Sequence, residues 1–272
     1  MPRVYHLHLV SDATGETLNT VARALTVQFE GVTPKEHVYA LVRNQRQLTR
    51  AIKQIAANPG IVFFTLVNPE LRAILEKECA SLRVPYVSIL DQAAKALREY
   101  LGAEETHRPG GQHEVDARYM ERVEAVNYAI HQDDGQGVEH LRLAEVILVG
   151  PSRTSKTPTC VYLAIRGVRA ANIPIVPGVA LPEQLFEHKQ TLIVGLWASP
   201  ERLLQVRRNR LTTLGETRGT NYVDEAAIRS EVADARRLYE RQDWPSIDVT
   251  RRSIEETAAK VLNLLAERDQ NS

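Results

Sequence analysis

Several residue types and patterns on which particular protein classes depend are scarce or absent in this sequence. It has two cysteines in 272 residues, and neither Cys79 nor Cys160 belongs to a C-x-x-C pair or a zinc-ligand spacing. A disulfide framework and a structural zinc site are therefore excluded, and both cysteines are expected to be small core residues of a reduced, cytoplasmic protein. The formal net charge is +0, from 34 basic and 34 acidic residues, so the charge balance gives no indication of nucleic-acid binding.

Long apolar runs are also missing. No stretch approaches the roughly 20 residues that a membrane helix needs, and the opening Met1-Pro2-Arg3-Val4 lacks the layout of a signal peptide. We therefore expect neither a membrane partner nor export. Hydrophobic residues make up 43% and charged residues 25% of the chain, which is typical of a folded globular protein with room for one large domain or two medium ones.

Apolar strand-like runs alternate with amphipathic helical patterns almost throughout, and this alternation predicts an α/β fold. Strands are predicted at Val4–Val10, His37–Val42, Ile61–Leu66, Tyr86–Leu90, Val146–Val149, Asn172–Val176 and Thr191–Trp197, with a short one near Ile247. Helices are predicted at Glu16–Phe29, Gln45–Ala57, Pro69–Leu82, Asp116–His131, Pro158–Arg166, Pro200–Arg210 and after the capping box Ser253-Ile254-Glu255-Glu256. We therefore expect two α/β halves with mainly parallel sheets.

The alternation breaks between the two halves. The segment Gly102–His113 holds three glycines and little apolar content, which is typical of a linker or a mobile loop. A predicted helix and an Asp-Asp-Gly turn cluster follow it. We place an N-terminal α/β domain with this linker and helix at residues 1–140, and a P-loop, kinase-like nucleotide-binding domain at residues 141–272.

The most specific motif is the octapeptide Gly150-Pro151-Ser152-Arg153-Thr154-Ser155-Lys156-Thr157. An apolar run precedes it and a helical pattern follows it, so its layout is that of a phosphate-binding loop. In such a loop, backbone N–H groups and the helix N-terminus hold phosphate oxygens. Lys156 is then expected to reach the terminal phosphate, and the Thr157 hydroxyl is expected to bind the magnesium ion.

Ser155 departs from the usual pattern, in which a second glycine precedes the lysine. A pattern relaxed at this position occurs more often by chance. On the pattern alone, an ordinary strand–turn–helix connection therefore stays an alternative to a nucleotide site.

Two further places carry groups that are suited to chemistry, and each has a simpler explanation. The first strand ends in Ser11-Asp12-Ala13-Thr14-Gly15, at the position where parallel sheets bind ligands and where a second phosphate can be held. The alternative is a plain turn in which Thr14 caps the next helix. Asp133 and Asp134 can supply a carboxylate for magnesium or for a general base, or they are simply an acidic surface turn.

The helix after Pro200 carries several arginines, which either clamp phosphates or form a solvated basic face: Arg202, Arg207, Arg208 and Arg210. No aspartate suited to magnesium ends a strand in the second half, whereas Asp91 ends an apolar run in the first half. Magnesium is then held mainly by Thr157 and the nucleotide, or the first half contributes a ligand across a cleft.

Several segments together resemble the bifunctional regulatory proteins of pyruvate, phosphate dikinase and phosphoenolpyruvate synthase. The resemblance covers nearly the whole chain and is carried by residues 10–17, 133–135, 149–159, 170–174 and 195–203. It accounts for Ser155, because dikinase-type members tend to carry Thr-Ser-Lys-Thr where synthase-type members tend to carry Cys-Gly-Lys-Thr. Asn127 and Gln132 depart from the family's pattern near the acidic turn, and we therefore assign His131 no catalytic role.

The resemblance implies an unusual pair of reactions. Members of this family phosphorylate a threonine of the target enzyme with ADP as donor, which inactivates it, and reverse this with inorganic phosphate, releasing pyrophosphate. By resemblance, residues 150–157 bind ADP, and Mg²⁺ is expected with it. Lys156 then acts in the transfer with help from Arg153, and Asp12 or Asp134 orients the threonine hydroxyl or the attacking phosphate. The expected partner is pyruvate, phosphate dikinase; the oligomeric state stays open, a homodimer included.

Other functions remain open on the sequence. The same chemistry on phosphoenolpyruvate synthase differs only in the target. A small-molecule kinase of the nucleoside- or shikimate-kinase type needs only the second half, but the missing second glycine and the additional first domain count against it. A nucleotide-sensing module without catalysis needs only the loop and a conformational response.

Overall fold

The computed structural model describes residues 3–106, 108–110, 117–187, 191–214 and 221–271. It divides the chain into two compact units, Met1–Glu114 and Val115–Ser272. Each unit is built around one four-stranded sheet whose strands are all parallel, so the predicted α/β fold in two halves is confirmed. Within these ranges no helix is both long and apolar enough to cross a membrane. The predicted linker at 102–113 lies partly outside the described residues.

The first unit alternates strands and helices along the chain. Its strands are β1 (Arg3–Ser11), β2 (Val32–Tyr39), β3 (Ile61–Thr65) and β4 (Tyr86–Ser88), and its helices are α1 (Glu16–Thr26), α2 (Gln45–Ala57), α3 (Pro69–Leu82) and α4 (Asp91–Leu101). The strand order β2-β1-β3-β4 places β1 and β3 at the centre. Because alternate residues of β1 point to opposite faces, Val10 packs with α2 and α3, while Leu7 and Leu9 pack with α1.

Helices α2 and α3 have the predicted bounds because asparagine side chains cap their first turns. Asn44 accepts a hydrogen bond from the backbone N–H of Gln47 at 3.0 Å. Asn68 accepts from the N–H groups of Glu70 and Leu71 at 2.9 and 3.0 Å, and a proline occupies the first turn of α3.

Two elements of the first unit differ from the sequence prediction. Strand β2 begins at Val32 rather than near His37, and it contains Pro34, which is tolerated because β2 is an edge strand. Asp91 begins α4 instead of ending a strand. Strand β4 ends at Ser88, whose hydroxyl donates to Asp91 Oδ1 at 2.5 Å, and the Asp91 carboxylate also pairs with Arg72.

The second unit has the strands β5 (Val146–Gly150), β6 (Ala170–Pro174), β7 (Leu192–Trp197) and β8 (Ser246–Asp248), in the order β6-β5-β7-β8. Its helices are α5 (Ala117–His131), α6 (Lys156–Ala164), α7 (Gln184–Glu187), α8 (Pro200–Leu214), α9 (Glu225–Arg241) and α10 (Ile254–Asn271). Every residue of β5 is buried, as expected for a central parallel strand covered on both faces. The predicted capping box opens α10, since Ser253 and Glu256 exchange bonds of 2.9 and 3.1 Å. The sequence patterns do not predict α7 and α9.

Helix α5 packs within the second unit. Its Ala125 and Ala129 are buried in the same cluster as Leu163 and Ala164 of α6, and their short side chains allow the two helices to pack closely. The boundary between the units therefore lies before α5, whereas the boundary expected from the sequence lies after this helix, at residue 140.

Helix α9 covers the carboxyl end of the second sheet. The Tyr239 hydroxyl is positioned to bond the carbonyl oxygens of Leu196 and Val149, at 3.0 and 3.3 Å. Gly195 leaves room for the tyrosine ring, because an added Cβ would lie 2.5 Å from a ring carbon. This contact fixes α9 against β5 and β7, directly below the loop that follows β5.

A buried ion pair joins α8 to α9. The two terminal nitrogens of Arg207 donate to the two carboxylate oxygens of Glu231 at 2.8 and 2.9 Å, and the side chains are 3% and 7% exposed. A bidentate pair of this kind is directional as well as strong. Because both charges are removed from water, loss of either one leaves the other without compensation.

We expect Glu231→Gln to lower the free energy of unfolding of the second unit by about 3–5 kcal/mol, because it leaves the buried Arg207 charge unpaired. Urea denaturation followed by tryptophan fluorescence measures this unit alone, since Trp197 and Trp244 are the two tryptophans of the chain and both lie in it. The matched control is Glu225→Gln on the same helix. Glu225 pairs with Arg229 at the exposed surface, so this change should leave the midpoint nearly unchanged. Equal midpoints for the two variants would contradict the structural role of the buried pair.

Candidate functional site

The octapeptide 150–157 connects β5 to α6. Gly150 ends the strand and Lys156 begins the helix, so the predicted order of strand, loop and helix is present. Arg153 and Ser155 have φ angles of 73° and 61°, in the left-handed region that glycine enters at least cost. Ser155 thus adopts the conformation for which the usual pattern has glycine, at a cost of about 1 kcal/mol.

Gly150 allows the loop to lie close to the neighbouring strand. A Cβ at this position would lie 2.4 Å from the carbonyl oxygen of Leu196 and 3.1 Å from Thr154 Oγ1. The Thr154 hydroxyl in turn donates to the carbonyl oxygen of Pro151 at 2.9 Å. The start of the loop is therefore a compact turn against β7, and any side chain at position 150 would displace it.

Lys156 closes the loop from within. It is 5% exposed, and its Nζ donates to the carbonyl oxygens of Gly150 and Pro151, both at 3.0 Å. Burial lowers the pKa of Lys156 to about 8, although nearby carboxylates, Asp134 foremost, act in the opposite direction. The amine is thus a buried cation whose charge is only partly compensated.

Thr157, the predicted magnesium ligand, bonds Asp133. Its hydroxyl donates to Asp133 Oδ1 at 2.7 Å, and the Asn172 side chain donates to the same oxygen at 2.5 Å. The side-chain Oδ1 of that buried asparagine accepts from the backbone N–H of Asp134 at 3.1 Å. This network holds the acidic turn beside the first turn of α6.

Sequence reasoning named both Asp133 and Asp134 as possible carboxylates and selected Asp134 alone for a catalytic role. The Asp-Asp-Gly cluster is the only signal for either residue, and it does not say which carboxylate faces the loop. Asp134 has a left-handed backbone, with φ of 51°, and this turn places the Asp133 carboxylate on Thr157. Asp134 still lies close enough to Lys156 for its carboxylate to raise the pKa of the lysine.

Arg207 is the member of the predicted arginine cluster that contacts the loop. Besides Glu231, it donates to the carbonyl oxygen of Ser152 at 3.2 Å and to that of Tyr222 at 3.3 Å. The Arg153 side chain donates to the Tyr222 hydroxyl at 3.1 Å. The other three arginines of the cluster are exposed, which fits the solvated-face alternative for them.

A cavity of about 690 Å³ lies beside the loop. Its lining includes Ser152 of the loop, Ile175–Pro177 after β6, Tyr222, and residues of α9 such as Ser230. This volume lies within the usual range for sites that bury a nucleotide-sized ligand or a few residues of a peptide.

Asp12, the other predicted catalytic carboxylate, lies in the first unit at the end of β1. It is 3% exposed, and its Oδ2 accepts from the backbone N–H of Val67 at 2.7 Å. Burial raises the pKa of Asp12, against the opposing effects of that N–H and of Arg43. The position that caps α1 is Gly15, with no side-chain hydrogen bond, so the alternative in which Thr14 is the cap is not what the structure shows.

The remaining candidate residues have structural explanations. His131 is exposed, and its ring nitrogen bonds the carbonyl oxygen of Asn127 at 2.7 Å. Cys79 and Cys160 are both buried and unpaired. Among the described residues, no group of three or more His, Cys, Asp and Glu side chains is arranged to hold a metal ion.

Comparison with known proteins agrees with these features. Residues 7–262 match the model of the family described as kinase/pyrophosphorylase. A protein of Caulobacter vibrioides, named "Putative pyruvate, phosphate dikinase regulatory protein", is 58% identical over 96% of this chain and 83% of its own length. Proteins with the same name from Maricaulis maris and Nitrobacter winogradskyi are 54% and 53% identical, over 97% and 98% of this chain and 94% and 95% of their own.

These matches extend over both units and include the loop, the acidic turn and the end of β1. Since the family model alone covers residues 7–262 of 272, the chain belongs to the kinase/pyrophosphorylase family.

Proposed function

We propose that this protein is a bifunctional regulatory enzyme of pyruvate, phosphate dikinase. It transfers the β-phosphoryl group of ADP to a threonine hydroxyl of the dikinase, which releases AMP and a proton and inactivates the target. In the opposite reaction, inorganic phosphate takes the phosphoryl group from the phosphothreonine, which yields pyrophosphate and restores the hydroxyl. The family and the names of the relatives support the two activities, and the loop with Lys156 buried across it is the observation that carries the nucleotide site.

The 150–157 loop is the proposed site of the ADP phosphates. Backbone N–H groups at the start of α6 and the helix dipole favour an anion there. Among the described residues the Lys156 ammonium donates to two neutral carbonyls, and it gains a stronger partner in a phosphate oxygen. Arg153 lies in the same loop and is proposed to stabilise charge that develops during transfer.

Mg²⁺ is proposed to bind between Thr157 and the acidic turn. The Thr157 hydroxyl and the Asp133 carboxylate already lie 2.7 Å apart, and such oxygen groups are the ligands that magnesium prefers when phosphates complete its shell. The ion supplies charge neutralisation for the transferring phosphoryl group. We therefore propose that Asp133 is the carboxylate that binds Mg²⁺ together with Thr157, the role for which the sequence offered no aspartate at a strand end in this unit.

Asp134 and Asp12 are the proposed general bases. A carboxylate that accepts the proton of the threonine hydroxyl, or orients the attacking phosphate, increases the rate of either reaction. Asp134 is the acidic group with the largest effect on Lys156, which favours it for the kinase reaction. Asp12, at a separate polar cavity of the first unit, is retained for the reaction with phosphate.

Two buried, unpaired cysteines support action in the reducing cytoplasm.

Incubation with β-labelled ADP and purified dikinase tests the proposed function. Label is expected on a dikinase threonine, and Lys156→Ala should reduce its rate of appearance about 100-fold, because one buried cation at the phosphates is lost. The control is Lys260→Ala, an exposed lysine of the same unit, which should label at the normal rate. Transfer to phosphoenolpyruvate synthase instead, transfer to a metabolite, or ADP binding without transfer would each contradict the proposal.

The affinity for ADP should fall as the pH rises above about 8. Burial lowers the pKa of Lys156 to about 8, and phosphate binding favours the ammonium form, so ADP binding takes up a proton in this range. The slope should approach about tenfold per pH unit, since only the protonated lysine attracts phosphate. Calorimetric titration between pH 7.5 and 9.5 avoids titration of ADP itself, whose terminal phosphate has a pKa near 6. Lys156→Met should remove the dependence; a wild-type affinity that stays constant would exclude this role.

The neighbours Asp133 and Asp134 should have separable effects. Asp133→Asn is expected to raise the Mg²⁺ concentration needed for half-maximal transfer at least about tenfold, because magnesium loses a charged ligand. Asp134→Asn should lower kcat by roughly 10²-fold, the usual effect of losing a general base, with the Mg²⁺ requirement unchanged. The opposite pattern would show that the two roles are interchanged.

A further inference from the structure

Asn172 is a buried polar side chain to which the proposed reaction assigns no role. It lies in the middle of β6, at the edge of the second sheet, in register with Leu148 of β5. Its side chain is fully buried, and its neighbours along the strand, Ala171 and Ile173, belong to the hydrophobic core. An amide in such surroundings is costly unless it is hydrogen-bonded, so the partners of Asn172 indicate what it does.

Three hydrogen bonds of Asn172 go to consecutive residues of the acidic turn. Its backbone N–H donates to the carbonyl oxygen of Gln132 at 3.2 Å. Its side-chain Nδ2 donates to Asp133 Oδ1 at 2.5 Å, and its Oδ1 accepts from the backbone N–H of Asp134 at 3.1 Å. A single residue of the sheet therefore fixes three successive positions of the turn.

The turn depends on this support because its backbone has an uncommon conformation. Asp134 has φ of 51°, in the left-handed region, which a residue with a side chain keeps only where its surroundings hold it there. Its N–H is the group that the Asn172 side chain accepts from. Without this bond we expect Asp134 to return to a commoner conformation, which would redirect the carboxylates on both sides of that backbone.

Asn172 also determines the orientation of the Asp133 carboxylate. Oδ1 of Asp133 accepts from both Asn172 and the Thr157 hydroxyl, at 2.5 and 2.7 Å. Among the described residues no group donates to Oδ2, so one charged oxygen is left for a cation. A partner that bonds a metal-binding carboxylate in this way fixes its orientation, and such partners contribute strongly to metal affinity.

An amide meets both requirements of this position, and side chains of similar size do not. The amide donates to the Asp133 carboxylate and accepts from the Asp134 N–H. An aspartate here would lack the donor and bring a second negative charge against Asp133, and a leucine would neither donate nor accept.

We propose that Asn172 is a positioning residue for the transfer reaction. It holds the acidic turn so that Asp133 faces Thr157, and the same bonds keep Asp134 beside Lys156. It acts through these two carboxylates and not on the substrates directly. Its effect on Mg²⁺ rests on the proposed function; its control of the turn does not.

Amide hydrogen exchange of the full-length protein, followed by NMR without nucleotide or metal, tests the control of the turn. Asn172→Leu should increase the exchange rate of the Asp134 N–H at least about tenfold, because its buried acceptor is lost, and should leave the N–H groups of β7 protected. The matched control is Asn263→Leu at an exposed position of α10, which should leave the Asp134 N–H unchanged. Asn172→Ser, too short to bond both aspartates, is the second variant should Asn172→Leu fold poorly.

Calorimetric titration of Mg²⁺ into the complex of the protein with ADP tests the consequence for the site. Asn172→Leu is expected to raise the dissociation constant for Mg²⁺ about 10- to 100-fold, the usual effect of losing a residue that orients a metal ligand. The ADP affinity measured without Mg²⁺ should not change. Wild-type Mg²⁺ affinity in both Asn172→Leu and Asn172→Ser would overturn the proposal, whatever the exchange rate.

The double variant Asp133→Asn with Asn172→Asp separates positioning from folding. It restores a hydrogen bond between the two positions and keeps the net charge, but it moves the carboxylate from the turn to the strand. We expect the wild-type midpoint of urea denaturation with Mg²⁺ affinity as weak as in Asn172→Leu. Wild-type Mg²⁺ affinity in this double variant would show that the position of the carboxylate is unimportant and would overturn the proposal.

This proposal and the proposed function can fail separately. If the wild-type protein labels the dikinase and Asn172→Leu binds Mg²⁺ normally, the function stands and the role of Asn172 does not. If Asn172→Leu exposes the Asp134 N–H and weakens Mg²⁺ binding while the wild-type protein labels no dikinase threonine, the role of Asn172 stands and the function does not.

Discussion

The two hydrogen bonds from Lys156 Nζ to the carbonyl oxygens of Gly150 and Pro151 are the contacts on which the candidate site depends. They bring the first residue of α6 back over the end of β5 and give the loop its closed form. Neutral carbonyls only partly compensate a buried ammonium, and the pKa lowered to about 8 expresses this shortfall. A phosphate oxygen compensates the charge of this ammonium better than a neutral carbonyl does. The burial that lowers the pKa of Lys156 therefore also favours the binding of an anion beside it.

The closed loop depends in turn on packing around it. Gly150 can lie beside the Leu196 carbonyl only because glycine has a hydrogen where other residues have a Cβ. Arg207 donates to the carbonyl oxygen of Ser152 and also forms the ion pair with Glu231. Both units repeat one strand order, with a polar loop after the first strand of each sheet.

Local patterns were sufficient to predict most of the helices and strands, with α4, α7 and α9 as exceptions. They did not predict contacts between residues distant in sequence. Asn68 with the proline after it determines the start of α3 within one turn, so the sequence predicts that start correctly. Asp133 faces Thr157 because Asn172, 39 residues away, bonds it, and no local pattern contains this information. The pair Arg207 and Glu231 is likewise made by two helices that the tertiary fold brings together. Strand order and the position of α5 depend on such packing too.

The central claim is that the ADP phosphates replace the backbone carbonyls as partners of the Lys156 amine. A crystal structure of the protein with ADP and Mg²⁺ tests it most directly. We expect Nζ within hydrogen-bond distance of a β-phosphate oxygen, with its bonds to Gly150 and Pro151 broken or lengthened and the Thr157 hydroxyl on the metal. ADP bound away from residues 150–157, with Nζ still on both carbonyls, would contradict the account.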